Sequence, residues 1–111
     1  MGRHQREKGK RVERAAATRL RKLFKIDARR SVQYCGKAGD ADLVTVPGLH
    51  VEVKGRKTLS AVRFLDQAKD DAKPGDVPIV LMKEDRGTFL VLLELDDLPE
   101  LLELLGAKGK V

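Results

Sequence analysis

Two short strand patterns joined by a turn, between Asp40 and Lys57, constrain the fold of this chain most strongly. The run at 42–46 predicts a first strand, and the alternation of apolar and charged residues at 51–54 predicts a second. Pro47-Gly48 between them is typical of a turn, because proline fixes φ and glycine permits a positive φ. The segment is therefore predicted to form a β-hairpin.

The charged side chains of this hairpin indicate a metal site. Glu52 and Lys54 share one face of the second strand, because strand side chains alternate with a period of two. Asp42 opens the first strand, so the hairpin brings a second carboxylate close. Two adjacent carboxylates repel unless a cation lies between them, and Mg²⁺ takes oxygen ligands from one or two carboxylates together with substrate phosphates. Asp42 and Glu52 are therefore candidate metal ligands, with Lys54 placed to act on a phosphate or a water.

This assignment has one competitor and one geometric condition. Asp40 is nearby, but Asp42 directly precedes the apolar strand, whereas Asp40 fits a turn position. A two-residue loop would pair Asp42 with Val53 and point its carboxylate away from Glu52. We therefore expect an odd loop length or a bulge, such as a three-residue loop that pairs Asp42 with Glu52.

A first helix is predicted from about Arg6 to Lys25, because apolar residues recur there at helical spacing. Glu13 lies in the middle of the apolar stripe, where a carboxylate would face the core. An unpaired buried carboxylate is costly, so Glu13 requires a metal, a hydrogen-bond network or a cationic partner. A buried ion pair with one of the many arginines is the alternative to a metal site.

The rest of the chain predicts an α/β fold. After the first helix we predict a strand from Arg29 to Gly36 and a glycine-rich turn at 36–39. A helix capped by Thr58 or Ser60 is predicted next, followed by strands at 78–82 and 88–93. A short last helix is predicted to begin at Asp96 or Asp97, with Pro99 in its first turn, and to stop at Gly106. Both late strands are nearly continuous apolar runs, which predicts that they are central and covered on both faces. The order αβββαββα predicts a central mixed β-sheet flanked by helices in a single domain, with 107–111 as a frayed tail.

The pattern of Asp42, a turn, then Glu52 and Lys54 resembles the PD-(D/E)XK nuclease superfamily. Within it, the chain is most similar to the small Holliday junction resolvases of archaea and their phage-borne relatives. The segment from Lys8 to Glu13 resembles the Lys-Gly-x-x-x-Glu opening of their first helix, and Gln67 matches a glutamine often found on the helix after Glu-x-Lys. The resemblance extends over nearly the whole chain.

The resemblance implies a restriction-endonuclease-like fold and a Mg²⁺-dependent, structure-specific DNA endonuclease in which Mn²⁺ can replace Mg²⁺. It also implies a homodimer that resolves four-way junctions by paired symmetric nicks without a nucleotide cofactor. The implied catalytic residues are Glu13, Asp42, Glu52, Lys54 and Gln67, of which Glu13, Asp42 and Glu52 are the metal ligands. One departure is Cys35-Gly36, where archaeal relatives carry a Ser-Gly pair whose serine is implicated in activity.

Composition and charge favour a polyanionic partner. The 111 residues carry a net charge of +6, with a sequence pI of about 9.7, and cations crowd the first part of the chain. Aromatic residues make up only 4%, so binding is expected to rely on Lys and Arg contacts with phosphates rather than on base stacking. The predicted DNA-binding residues are Arg6, Lys8, Lys10, Arg11, Arg14, Arg29, Arg30, Lys37, Arg56 and Lys57.

Cysteine usage and hydropathy exclude several classes of protein. Cys35 is the only cysteine, so neither an intrachain disulfide nor a thiolate zinc site can form. The basic N-terminal segment lacks an apolar stretch, and no run approaches the roughly 18 apolar residues of a membrane span. We therefore expect a soluble, cytoplasmic protein.

Two other functions are compatible with the same residues. A nuclease of the same fold can act on duplex, flapped or damaged DNA, and a non-catalytic nucleic-acid-binding module can use its carboxylates only to pair with arginines. Glu-x-Lys on a strand is by itself most often a solvated face, and Gln67 can equally be a solvent-facing glutamine. The specificity of the prediction comes from the combination of Asp42, Glu52, Lys54 and Glu13.

Overall fold

The computed structural model describes residues 3–31 and 41–106 of the chain. Its elements in chain order are α1 (Arg3–Phe24), β1 (Arg29–Arg30), β2 (Leu43–Val44), β3 (Leu49–Arg56), α2 (Ala61–Asp71), β4 (Val77–Glu84), β5 (Leu90–Leu92), a 3₁₀ helix (Leu95–Asp97) and α3 (Leu98–Leu104). The predicted order of helices and strands is confirmed. The predictions for Cys35, Lys37, Asp40, the turn at 36–39 and the tail at 107–111 lie outside the described residues.

The five strands form one mixed sheet in the order β1-β2-β3-β4-β5. Strands β3 and β4 are parallel, and the other neighbouring pairs are antiparallel. A parallel pair needs a crossover connection, which α2 supplies between β3 and β4. The predicted α/β fold with a mixed central sheet flanked by helices is therefore confirmed.

The apolar core lies on both faces of β4. On one face, Ile79 and Leu81 pack with Val51 of β3 and with the buried side of α1. On the other face, Val80 and Met82 pack against α2. Burial of each such side chain contributes on the order of 2 kcal/mol, which explains why this apolar strand lies inside the sheet with helices over both of its faces. Because side chains alternate along β3, the face opposite Val51 carries the charged residues.

The prediction that both late strands are central is wrong for β5. This strand pairs only with β4 and forms the edge of the sheet. Its residues Leu90 and Val91 are 52% and 53% exposed. An apolar run predicts burial but not its cause, and a hairpin after the central strand places the next strand at the edge. An apolar surface therefore remains beside β5.

The ends of α2 and α3 lie where the sequence predicts them, although their caps are incomplete, whereas α1 begins at Arg3 instead of the predicted Arg6. Ser60 is the N-cap residue of α2 and Asp97 that of α3, and neither side chain makes a capping hydrogen bond. Pro99 lies in the first turn of α3, and Gly106 after that helix has a positive φ of 78°. No helix of the described residues is long and apolar enough to cross a membrane.

We expect Gly55→Ala to destabilise the protein, because α1 packs directly on β3 at this glycine. A Cβ at Gly55 would lie 2.8 Å from Cγ2 of Val12. Overpacking of this kind costs about 1–3 kcal/mol of the free energy of unfolding. Adding Val12→Ala should recover part of that loss, so urea denaturation of the two single variants and the double variant should give non-additive changes. Additive changes would contradict a direct clash.

Candidate active site

The β2–β3 hairpin is irregular at Asp42, as the sequence argument requires. Leu43 is the register partner of Val51. The N–H of the preceding residue, Asp42, also donates to Val51, with a hydrogen bond of 3.0 Å to its carbonyl oxygen. Two residues of one strand thus face one residue of the other, which is the arrangement of a β-bulge. Gly48 in the connecting turn has a φ of 90°, as its turn position predicts. The predicted departure from a two-residue hairpin is confirmed.

The carboxylate of Asp42 is fixed by the backbone of β3. Its Oδ2 accepts a hydrogen bond of 2.8 Å from the N–H of Val53. In a regular ladder a main-chain carbonyl would accept this bond, so the bulge lets a side chain take that place. Asp42 is therefore held over the neighbouring strand, beside Glu52, without depending on solvent.

Asp42 and Glu52 carry the strongest electrostatic perturbation of the site. Burial, followed by the nearby charge of Glu52, raises the pKa of Asp42 from 3.8 to about 7, and the charge of Glu13 adds to the effect. The hydrogen bond from Val53 opposes it without cancelling it. Asp42 and Glu52 therefore lie close enough to act on each other, and Asp42 keeps its proton up to about neutral pH.

Glu52 is buried and has a second partner. Its Oε2 lies 2.7 Å from Nε2 of His50, and the two side chains are 8% and 3% exposed. His50 was not among the residues selected from the sequence. The signal was present, however, because His50 precedes Glu52 by two positions and must share its face of β3. His50 therefore orients one oxygen of Glu52.

Glu13 reaches the same region from α1 and is bound to Arg30. Its Oε1 accepts a hydrogen bond of 2.8 Å from Nε of Arg30, and its side chain is 21% exposed. These two residues line a polar cavity of about 160 Å³ together with Ser31 and Asp42. The ion pair considered from the sequence is therefore formed, and Glu13 still lies close enough to Asp42 to raise its pKa.

Lys54 is held by an aromatic ring. Its Nζ lies 5.7 Å from the ring centroid of Phe64, and the guanidinium carbon of Arg56 lies 5.8 Å from the same centroid. Cations over an aromatic face are attracted by the ring quadrupole. Among the described residues Lys54 forms no ion pair, so its charge is available on the same face of β3 as Glu52. Phe64 is thus a residue of the site that sequence analysis missed.

The other predicted catalytic residue lies apart from this cluster. Gln67 is exposed on α2, and its side chain makes no hydrogen bond with any residue that the structure describes. The neighbouring residues Leu65 and Ala68 are buried against the sheet, so the side chain of Gln67 faces solvent. Its side chain is free to contact a ligand but takes no part in the carboxylate cluster.

The predicted DNA-binding cations divide into exposed and paired groups. Side chains that are exposed belong to Arg6, Arg11, Arg14, Arg29, Arg56 and Lys57. Lys8 is paired with Asp85 at 2.6 Å, Lys10 lies 3.8 Å from Glu7, and Arg30 binds Glu13. The paired cations must give up an internal partner before they can bind phosphate.

The donor set fits a hard divalent cation bound by a carboxylate pair. No group of three or more His, Cys, Asp or Glu side chains within residues 3–31 and 41–106 has the arrangement of a metal site. Mg²⁺ nevertheless needs only one or two carboxylate ligands from the protein, because water and phosphate oxygens fill the rest of its coordination sphere. Asp42 and Glu52 form such a pair, whereas Glu13 is engaged by Arg30.

These features are similar to those of one class of protein. A hairpin with Asp on one strand and Glu-x-Lys on the next, set in a five-stranded αβββαββα fold, resembles the arrangement of the PD-(D/E)XK nucleases with a restriction-endonuclease-like fold. One solved structure similar to this chain is that of Archaeoglobus fulgidus Hjc, a Holliday junction resolvase from an archaeal hyperthermophile. The match has a TM-score of 0.57 and 27% sequence identity, over 78% of this chain and 72% of that one.

The predicted resemblance to Holliday junction resolvases of the PD-(D/E)XK type is therefore confirmed. No protein-family model matches the chain, and no curated protein sequence does. The similarity is thus visible in the comparison of folds and not in the comparisons of sequence.

Proposed function

We propose that the chain is a metal-dependent endonuclease that resolves four-way DNA junctions by paired nicks. The observation that carries this proposal is the position of Asp42, which the Val53 N–H holds over β3 close enough to Glu52 for the charge of Glu52 to raise the pKa of Asp42. Ionising both groups costs free energy because their charges repel, and a bound cation would offset that repulsion. The likeness to a Holliday junction resolvase supports branched DNA as the substrate.

The residues of the site have distinct roles in this proposal. Bound Mg²⁺, or Mn²⁺ in its place, would polarise the scissile phosphate and lower the pKa of a bound water. Asp42 and Glu52 would hold the cation. Because the pKa of Asp42 is raised, its carboxyl group must first lose a proton to bind the cation. Lys54 would stabilise the negative charge that develops on the phosphate. Glu13 would act on Asp42 through its charge, and Gln67 would contact the DNA.

Nicking of synthetic DNA tests the proposal directly. Labelled four-way junctions, flapped duplexes and linear duplexes of the same sequence would be incubated with Mg²⁺, Mn²⁺ or EDTA. We expect symmetric paired nicks in the junction, little cutting of linear duplex, and none with EDTA. Equal cutting of linear or flapped DNA would favour a repair or restriction nuclease of the same fold.

A non-catalytic DNA-binding module is the second candidate, because two of the acidic residues have internal cationic or polar partners. Glu13 is bound to Arg30, and Glu52 is bound to His50. In such a module the carboxylates would only pair within the protein. Junction binding without cleavage under every metal condition would favour this function over the nuclease.

We expect His50→Leu to reduce cleavage by about 10- to 100-fold, because it removes the group that orients Glu52. The Mg²⁺ concentration needed for half-maximal activity should also rise. His50→Gln keeps a donor for the Glu52 carboxylate and should restore most of the activity. Metal titrations of the cleavage rate for the three proteins would measure both effects, and equal loss in both variants would argue against an orienting role.

We also propose a homodimer, since paired nicks require two active centres and each chain carries one. A long apolar groove of about 730 Å³ runs between α1 and the segment that contains β5 and α3. It is lined in part by Leu23, Leu90 and Val91, which are 57%, 52% and 53% exposed. Apolar surface of this extent is typical of a protein interface, and a second copy would bury it by two-fold symmetry.

Placing a charge in this groove should weaken the dimer. Val91→Lys would bury an unpaired ammonium at the interface and should raise the dimer dissociation constant at least about tenfold. Sedimentation would measure the association, and the junction assay should then show single nicks. Val62→Lys is the matched control, because Val62 is 71% exposed on α2 outside the groove. A Val91 variant that still dimerises like the control would place the interface elsewhere.

A further inference from the structure

A second cluster of cations lies at the ends of β3 and β4, apart from the carboxylate pair. It forms a pocket of about 280 Å³ lined by Lys8, Arg11, Val12, Gly55, Lys83 and Asp85. Gly55 and Lys83 are register partners on the two parallel strands, and the other cations come from α1. The absence of a side chain at Gly55 lets α1 approach β3 closely and brings the α1 cations over the strand ends.

A carboxylate already lies among these cations. Nζ of Lys8 donates to Oδ1 of Asp85 over 2.6 Å, and Nζ of Lys83 donates to the main-chain carbonyl of Asp85 over 3.2 Å. The hydrogen bond from Lys8, together with the charges of Lys8, Lys83 and Lys57, lowers the pKa of Asp85. Cations outnumber the one acid, so the pocket attracts an anion even with Asp85 present.

We propose that this pocket binds a backbone phosphate of the DNA and that Asp85 competes with the phosphate for Lys8. The inference rests on the proposed function, since it assigns the pocket to the same DNA ligand. It adds a binding site outside the carboxylate pair and gives Asp85, which the cleavage chemistry does not use, the role of an internal competitor.

The exposure of the Lys8–Asp85 pair makes the exchange feasible. The two side chains are 33% and 46% exposed, and ion pairs exposed to this degree contribute little to stability because solvent screens them. A phosphate offers charge-assisted hydrogen bonds to several cations of the pocket at once, whereas Asp85 offers one carboxylate. Lys8 can therefore exchange Asp85 for a phosphate at little cost.

The pocket lies close to the carboxylate pair along β3 but on the other face of the sheet. Gly55 follows Glu52 by three residues of β3, which corresponds to about 10 Å along the strand. Because three is an odd number, Gly55 shares the α1 face with Val51 and Val53, whereas Glu52 lies on the opposite face. DNA that contacts both sites must therefore pass the ends of β3 and β4, and a phosphate contact there carries no base preference.

The test compares two variants that remove the same charge at different places. Asp85→Asn releases Lys8, whereas Asp96→Asn removes an exposed acid next to α3 that lies outside the pocket. Binding of a labelled four-way junction without divalent cations would be measured between about 50 and 200 mM salt. We expect Asp85→Asn to tighten binding about two- to fivefold and to steepen the slope of log K against log salt by up to about 0.9. Asp96→Asn should leave the slope unchanged.

A further substitution identifies the cation involved. Lys8→Ala in the Asp85→Asn protein should abolish the gain in affinity, because no freed lysine remains. If the protein binds the junction but the Asp85 and Asp96 variants have equal slopes of log K against log salt, the assignment of the pocket is overturned. The proposed endonuclease is not affected by that result. The predicted Asp85 effect without any nicking would support the pocket and overturn the endonuclease. A wild-type protein that binds no DNA would overturn both.

Discussion

Asp42→Asn is expected to abolish cleavage while junction binding survives or tightens. The variant keeps the volume of the side chain, and its amide oxygen can still accept the hydrogen bond from Val53. It removes one of the two anionic ligands of the cation. It also removes one negative charge that repels the DNA phosphate. We expect the cleavage rate to fall by at least about 100-fold, since even the loss of groups that orient metal ligands costs 10- to 100-fold.

Glu52→Gln should behave in the same way, because its amide oxygen can still accept a hydrogen bond from His50. Single-turnover cleavage and junction binding would be measured side by side for both variants. Asp96→Asn, which changes the net charge equally outside the site, should cut at the wild-type rate. A substituted protein at either carboxylate that cuts like this control would refute the assignment of the pair.

The alternation along β3 made most of the site predictable from the sequence. Val51 and Val53 belong to the α1 face of the sheet, so Glu52 and Lys54 had to share the other face. The prediction is robust because a one-residue slip would bury charges and expose valines. Parity also required an odd loop length or a bulge, because a regular two-residue hairpin would have turned the carboxylate of Asp42 away from Glu52.

The partners of these residues were not predictable in the same way. The ring of Phe64 beneath Lys54 depends on how α2 crosses the sheet, and the bond from Arg30 to Glu13 depends on how β1 meets α1. Both contacts join segments that are distant in sequence, where spacing carries no information. His50 is different, since the period-two rule that placed Glu52 places His50 as well.

The wrong prediction for β5 has a related cause. A continuous apolar run indicates that both faces of a strand avoid water, but it does not indicate what covers them. For β4, helices α1 and α2 and the neighbouring strands supply the cover. For β5, the described part of the chain leaves about half of Leu90 and Val91 exposed, so the same pattern fits a surface that a second copy covers.

The raised pKa of Asp42 has a consequence for stability that is independent of cleavage. In the unfolded chain this carboxyl group has its usual pKa of 3.8, and in the folded protein its pKa is about 7. Below about pH 4 the group is protonated in both states and contributes nothing to the pH dependence. Between these two values the unfolded chain binds fewer protons than the folded protein, so the stability of the fold decreases as the pH rises. Above about pH 7 the loss is complete.

We expect Asp42→Asn to stabilise the metal-free protein above pH 7, by on the order of 4 kcal/mol relative to its effect near pH 4, because the asparagine has no proton to lose. Urea denaturation of both proteins across this range, in EDTA, isolates the contribution of Asp42 from that of other titrating groups. Mg²⁺ should stabilise the wild type strongly at high pH and weakly at low pH, where a proton competes for Asp42, and should have little effect on the variant. Parallel curves for the two proteins, or equal stabilisation by Mg²⁺, would show that no repulsive carboxylate pair exists at Asp42 and Glu52.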